Sequence, residues 1–172
     1  TSLYSGVVVD TKNFSVGAGV RTFDAAAYLR RAGADPVLVR ALFQSDYETT
    51  VALARAKANA EFFAGGLIIG SIPERLANGQ IIAAQAADGM LRVDGVRMSI
   101  YVFQMPGDMV GISARSTGEL NVQVIMEAFG GGGHANVAGA QVRGVPLSVV
   151  RGNVVEQARK YIEESDIHEG HI

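Results

Sequence analysis

Apolar residues recur with a period of two in the middle of the chain and with a helical period on either side of it. Over residues 97–105, Met98, Ile100 and Val102 fall on one side of an extended chain, and Ser99, Tyr101 and Phe103 on the other. That alternation predicts a strand. Pro106-Gly107-Asp108 predicts a turn, with residues 109–114 pairing back as a hairpin. After Asn121, Val122, Ile125, Met126 and Phe129 recur at i, i+3, i+4 and i+7, the stripe of an amphipathic helix. Residues 137–142 read as another strand, and Ser148 caps a last helix to about residue 164, with a frayed tail over 168–172.

The first part of the chain is patterned differently. Val7-Val8-Val9 reads as a buried strand ending at Asp10. No sequence precedes it that could pair with it, so the expectation is a segment cut from a longer protein. Thr22 is a good N-cap and Asp24 suits a first helical turn, for a helix to Arg31 stopped by Gly33. Asp35-Pro36 starts a short second helix, with proline at its first position. Ser45-Asp46-Tyr47-Glu48 is a capping box that opens a long alanine-rich helix to about Ala64, ended by Gly65-Gly66. Residues 67–72 form a short apolar strand closed by Pro73, and a helix covers 81–88. Strands and helices alternate, which sets the class as α/β (α+β).

Composition narrows the reading further. With 172 residues, 48% of them apolar, the chain holds one sizeable domain with a core, or one domain plus part of another. There is no cysteine, so disulfides and thiolate metal sites are excluded. No apolar run is long enough for a membrane span, so this segment is expected to make no membrane contact. The net charge is −2 and the 15 basic residues are scattered. A protein that tracks a long polyanion carries a basic face. A phosphate ester bound here is therefore expected to be small.

Candidate chemistry centres on Gly130-Gly131-Gly132-Gly133-His134, set between the predicted helix and strand. Glycines let backbone approach a ligand closely and adopt positive φ. Successive N–H groups in such a loop can cradle an anion. The competing readings are a linker, which ordered flanks disfavour, and close packing of helix on strand. Ser113-Ala114-Arg115-Ser116 ends the hairpin's second strand. From there the Arg115 fork can reach a phosphate. Asp10, at a strand end, is a metal-ligand candidate or a turn residue. His168 and His171 have a metal-like spacing but sit in the tail. Phe14, Tyr101 and Phe103 suit base stacking or a core equally well.

Together these residues resemble a known family. Gly130 to His134 followed by Ala138-Gly139 is similar to the glycine-rich motif of the DHH-associated domain, first subtype (DHHA1). Val137 stands where the family pattern has alanine. Val7-Val8-Val9-Asp10-Thr11-Lys12-Asn13-Phe14 resembles the last metal-binding motif of the DHH phosphoesterase domain. Arg21-Thr22-Phe23-Asp24-Ala25-Ala26 and Ile112-Ser113-Ala114-Arg115-Ser116 resemble stretches of GdpP-type cyclic-di-AMP phosphodiesterases.

The resemblance implies residues 1–45 as the C-terminal portion of a parallel-sheet DHH domain and 46–65 as a connector helix. Residues 66–172 would be a DHHA1 substrate-binding domain, a mixed sheet flanked by helices. It implies two manganese ions in the intact parent, with Asp10 as one ligand. The substrate phosphate would be held by Gly131, Gly132, Gly133 and His134, with Ser113 and Arg115 beside them. The reaction implied is hydrolysis of cyclic di-AMP to linear pApA. The Asp-His-His signature and the other upstream metal motifs are absent, so this segment is expected to bind without catalysing. Its partners would be a cyclic dinucleotide or short oligonucleotide and the parent's upstream DHH domain. A homodimer is left open. The implied location is cytoplasmic, below a membrane anchor of the parent. Alternatives are a RecJ-like or short-RNA nuclease, a non-catalytic nucleotide-binding module, or an accessory domain of the alanyl-tRNA synthetase kind.

Overall fold

The computed structural model describes residues 1–11, 13–15 and 17–169. The chain forms two compact units, Thr1–Asp46 and Tyr47–Ile172.

The described part of the first unit is helical: α1 (Ser2–Asp10), α2 (Val20–Arg31) and α3 (Pro36–Leu42). The Val7-Val8-Val9 run is thus the end of a helix with no buried residue, not a buried strand. No strand lies among the described residues of this unit to pair with an extended valine run. Helical bonds such as Thr11 N–H to the Val7 carbonyl, 3.1 Å, satisfy its backbone instead. Helix α2 starts two residues before Thr22, with Gly19 as its N-cap. Asp35 caps α3 as expected, accepting from the Val37 N–H at 2.9 Å, with Pro36 at the first position. Asn13 and Phe14 both have positive φ, 58° and 63°. Phe14 is held there by stacking on Phe23, with ring centroids 5.5 Å apart.

The second unit carries a six-stranded sheet with β1 (Glu61–Phe63), β2 (Leu67–Ile72), β3 (Met98–Gln104), β4 (Met109–Ser116), β5 (Gly132–His134) and β6 (Val137–Arg143). Their spatial order is β1-β2-β3-β4-β6-β5. Only β2 and β3 run parallel, which makes the sheet mixed. Helix α5 (Gly79–Met90) makes the crossover that a parallel pair requires. Helix α4 (Tyr47–Ala58) packs beside α5 on one face of the sheet. Helices α6 (Val122–Glu127) and α7 (Leu147–Glu169) cover the other.

The alternation in β3 sorts its side chains onto these two layers. Met98, Ile100 and Val102 join Val110, Ile112, Ala114, Ala138 and Ala140 beneath α6 and α7. Tyr101 and Phe103 join Ile72, Ile82, Ala83 and Ala86 beneath α4 and α5. The second layer has little room, and two glycines make it. The Tyr101 ring occupies the place of a Gly70 side chain, and the Phe103 ring that of a Gly111 side chain. Tyr101 and Phe103 are therefore core residues, Tyr101 wholly buried and Phe103 with 4% of its surface exposed.

Three boundaries depart from the sequence expectations. The alanine-rich helix stops at Ala58 rather than near Ala64, so 46–65 is not one connector helix. Strand β1 follows and turns back onto β2 through Gly65 and Gly66, both at positive φ (76° and 74°). Aromatic Phe62 and Phe63 favour a strand that pairs over a further helical turn. Helix α7 begins at Leu147, so Ser148 lies inside it, and it continues through His168 rather than fraying. His171 lies outside the described residues. Finally, Gly132, Gly133 and His134 are an edge strand, not a loop.

Candidate phosphate-binding cleft

Each of the four glycines has its own structural task. Gly130, at φ 70°, ends α6 in the left-handed conformation. Its N–H donates to the Glu127 carbonyl at 3.0 Å, and the Gly131 N–H donates to the Met126 carbonyl at 2.9 Å. That pair of bonds is a Schellman cap. The first two N–H groups of the run therefore close a helix instead of forming an anion nest. A Cβ on Gly131 would strike the Gly139 carbonyl and Ala140, so Gly131 is a packing glycine. Gly133, at φ 148°, lies equally close to Ala138. Gly132 differs: its φ is not positive, and nothing lies within 4 Å of where its Cβ would be. It faces open space.

That space is a cleft of about 560 Å³ between α5 and the β4-β6-β5 side of the sheet. Strand register orders the sheet face that backs it into three rows, of which Phe103, Gln141, Ser113, Gly139, Gly132, Arg115 and Val137 line the cleft. At one end Phe103, Gly111 and Gln141 are aligned across β3, β4 and β6. In the middle lie Tyr101, Ser113, Gly139 and Gly132. At the other end lie Ser99, Arg115, Val137 and His134. Directly opposed residues project to the same face of an antiparallel sheet. Helix α5 forms the wall, with Gln80 and Ala84 lining the cleft and Asp88 one turn further on.

Among the described residues, Arg115 is the only charged one lining this cleft. Its side chain is 12% exposed, and its Nε lies 3.4 Å from Asp88 Oδ1. Nη1 donates to Ser113 Oγ at 3.2 Å and to the Ala114 carbonyl at 2.9 Å. The guanidinium is thus held at three points through Nε and Nη1, and Nη2 has no partner among the described residues. A guanidinium nitrogen so placed can donate a charge-assisted hydrogen bond to a phosphate oxygen. Ser113 is buried beside it, its hydroxyl already engaged by Arg115.

The structure therefore brings together four of the six residues expected to hold the phosphate: Ser113, Arg115, Gly131 and Gly132. Gly133 is not in the lining. His134 is exposed on the edge strand, paired with the cleft residue Val137, at the rim. Asp10 is exposed at the end of α1, in the other unit. Among the described residues no group of three or more His, Asp or Glu is placed to hold a metal ion. The described residues do not compose a two-manganese centre. No helix among them is long and apolar enough to cross a membrane.

The sequence did not single out Gln80, Asp88 or Gln141. A signal existed for the α5 wall, since Gln80, Ala84 and Asp88 fall at i, i+4 and i+8 on one helix face. Ser99 stands in the sequence only as a member of the β3 alternation. Its hydroxyl is fully buried next to Arg115 in the register and finds no protein partner.

A mixed sheet with this glycine-histidine edge belongs to a defined class. Residues 64–165 match the DHHA1 domain, and the chain belongs to that family. It is 44% identical over 161 residues to the cyclic-di-AMP phosphodiesterase PdeA of Listeria monocytogenes, covering 94% of this chain and 24% of that protein. It is 40% identical over 166 residues to the cyclic-di-AMP phosphodiesterase GdpP of Bacillus subtilis, covering 95% and 25%. The chain thus spans about a quarter of the length of the curated relatives it matches. An exopolyphosphatase-related protein from Bacteroides fragilis superposes with a TM-score of 0.76 at 20% identity, over 92% of this chain and 49% of that one, a likeness of fold.

Proposed function

We propose that this chain is the substrate-binding part of a phosphodiesterase acting on cyclic di-AMP, and that the cleft beside α5 holds a phosphate of that substrate. The observation that carries the reading is Arg115: a nearly buried guanidinium, tethered by Asp88, Ser113 and the Ala114 carbonyl, facing a cleft with glycine on its far side. The identity to two proteins named as cyclic-di-AMP phosphodiesterases supports the choice of substrate.

In this reading Arg115 binds a phosphate through Nη2. Gly132, without a side chain, lets the ligand approach the backbone of β5. His134 adds a donor from the rim. The Asp88 carboxylate keeps the guanidinium oriented when the cleft is empty. Manganese chemistry, with Asp10 as one ligand, belongs to the parent's upstream phosphoesterase domain. The described residues of this chain do not build that centre. The chain alone binds and does not hydrolyse.

A competition titration tests this. Cyclic di-AMP should bind saturably and be displaced less well by its linear product and by a short RNA. If the short RNA binds more tightly than the cyclic dinucleotide, a short-RNA nuclease of the same superfamily replaces the proposal. Manganese-dependent hydrolysis by the chain, freed of contaminating enzyme, would overturn its non-catalytic part.

A further inference from the structure

We infer that the end of the cleft away from Arg115 is a nucleobase subsite, in which the amides of Gln80 and Gln141 read the edges of an adenine. The inference rests on the substrate reading above and deepens it, by assigning base preference to named side chains.

The strand register separates the two ends. Gln141 is aligned with Gly111, and Val137 with Arg115. Four residues along a strand span about 13 Å, enough for a nucleoside phosphate to reach from one end to the other. The cleft volume, about 560 Å³, lies within the roughly 300–1,000 Å³ of small-molecule sites. The middle of the cleft carries Gly132 and Gly139, and a Cβ on Gly139 would meet the Ile112 carbonyl at 2.9 Å. No long side chain on the β5-β6 side divides the two ends.

The far end has the composition of a base site. Gln141 comes from β6 and Gln80 from α5, so the amides stand on different walls. They share one end, because Gly79, next to Gln80, lies against Phe103 (a Gly79 Cβ would be 3.7 Å from its ring), and Phe103 is in the Gln141 row. Phe103 supplies an apolar floor beside them. Both glutamines are exposed, and neither amide is engaged in a hydrogen bond among the described residues. Each amide offers one donor face and one acceptor atom.

That pattern selects adenine. The N6 amino group is flanked by N7 on one side and N1 on the other, so both edges show a donor beside an acceptor. Two amides on two walls can take both edges, each using one N6 hydrogen. Guanine shows two acceptors, O6 and N7, on its outer edge, which suit arginine or lysine. Among the described residues no cation lines this end of the cleft.

The test uses Gln80→Leu and Gln141→Leu, titrated with cyclic di-AMP, cyclic di-GMP and inorganic phosphate. The wild-type chain should prefer cyclic di-AMP. Each substitution should weaken cyclic di-AMP about tenfold and shrink its margin over cyclic di-GMP, while competition by inorganic phosphate stays as in the wild type. Arg115→Gln should weaken all three ligands. If both glutamine variants bind cyclic di-AMP as the wild type does, the subsite is wrong and the Arg115 site stands. If the wild type binds no cyclic dinucleotide, both readings fall.

Discussion

The Nε of Arg115 lies 3.4 Å from the Oδ1 of Asp88, across the junction of β4 and α5. The pair is asymmetric, with Arg115 12% exposed and Asp88 44% exposed. Asp88 therefore both orients the guanidinium and competes with any anion for it. Two acceptors, Ser113 Oγ and the Ala114 carbonyl, hold Arg115 without Asp88. Removing the carboxylate should consequently free charge more than it loosens geometry. Asp88→Asn is expected to tighten phosphate and nucleotide binding several-fold at low salt, with the gain fading as salt screens it. Weaker binding would show that orientation by Asp88 dominates.

The glycine run separates packing from ligand binding by position. Gly131→Ala should destabilise the fold by about 1–3 kcal/mol, because its Cβ meets backbone that has no room to shift. Gly132→Val should leave the denaturation midpoint unchanged, since the position is extended and open, yet it should abolish or greatly weaken nucleotide binding by filling the cleft. The reason is occupied space, not positive φ as the glycine pattern suggests. Thermal melts and ligand titrations on both variants check this. A Gly132→Val protein that binds normally would move the ligand away from β5.

His134→Ala should keep the fold, because the side chain is exposed on an edge strand, and should weaken cyclic di-AMP binding a few-fold. Unaltered affinity would leave His134 outside the site.

Much of this was legible in the sequence, and the exceptions share a cause. The alternation through Met98, Ile100 and Val102 specified both faces of β3, since successive side chains of a strand point to opposite faces. The strand at Leu67–Ile72 was equally plain. The Val7-Val8-Val9 run was not, because three valines fit a strand or a helix turn and only available partners decide. The tasks of Gly130 and Gly131 were hidden for a similar reason: a helix cap and a close backbone approach look alike as glycine. Asp88 and Gln141 became meaningful only once α5 and β6 were placed around Arg115.

Tyr101 gives the fold a pH signature. Its hydroxyl donates to the Ala56 carbonyl at 3.3 Å, in the last turn of α4, where helix carbonyls lack intrahelical partners. Burial pushes its pKa up from 10.0 to about 12. The folded state thus keeps a proton that the unfolded chain releases. The stabilisation is intact below about pH 10 and is lost as pH rises towards about 12. Urea midpoints should fall more steeply over that window in the wild type than in Tyr101→Phe. Parallel slopes would contradict the assignment.

Ser99 marks the opposite case. Its hydroxyl is buried without a protein partner, a condition that costs about 1–3 kcal/mol. Ser99→Ala should be as stable as the wild type or more so in thermal melts. A clear loss of stability would show that the hydroxyl is satisfied in solution.

The most direct test of the central claim is an amide-resolved NMR titration of this chain with cyclic di-AMP. The account predicts that shifts saturate and cluster on Ser113, Arg115, Gly132 and Gln141, with the Arg115 side-chain signal among the largest. It is contradicted if saturating ligand leaves those signals unmoved, or if the shifts gather instead on the separate groove of the first unit lined by Tyr4, Val8 and Phe43.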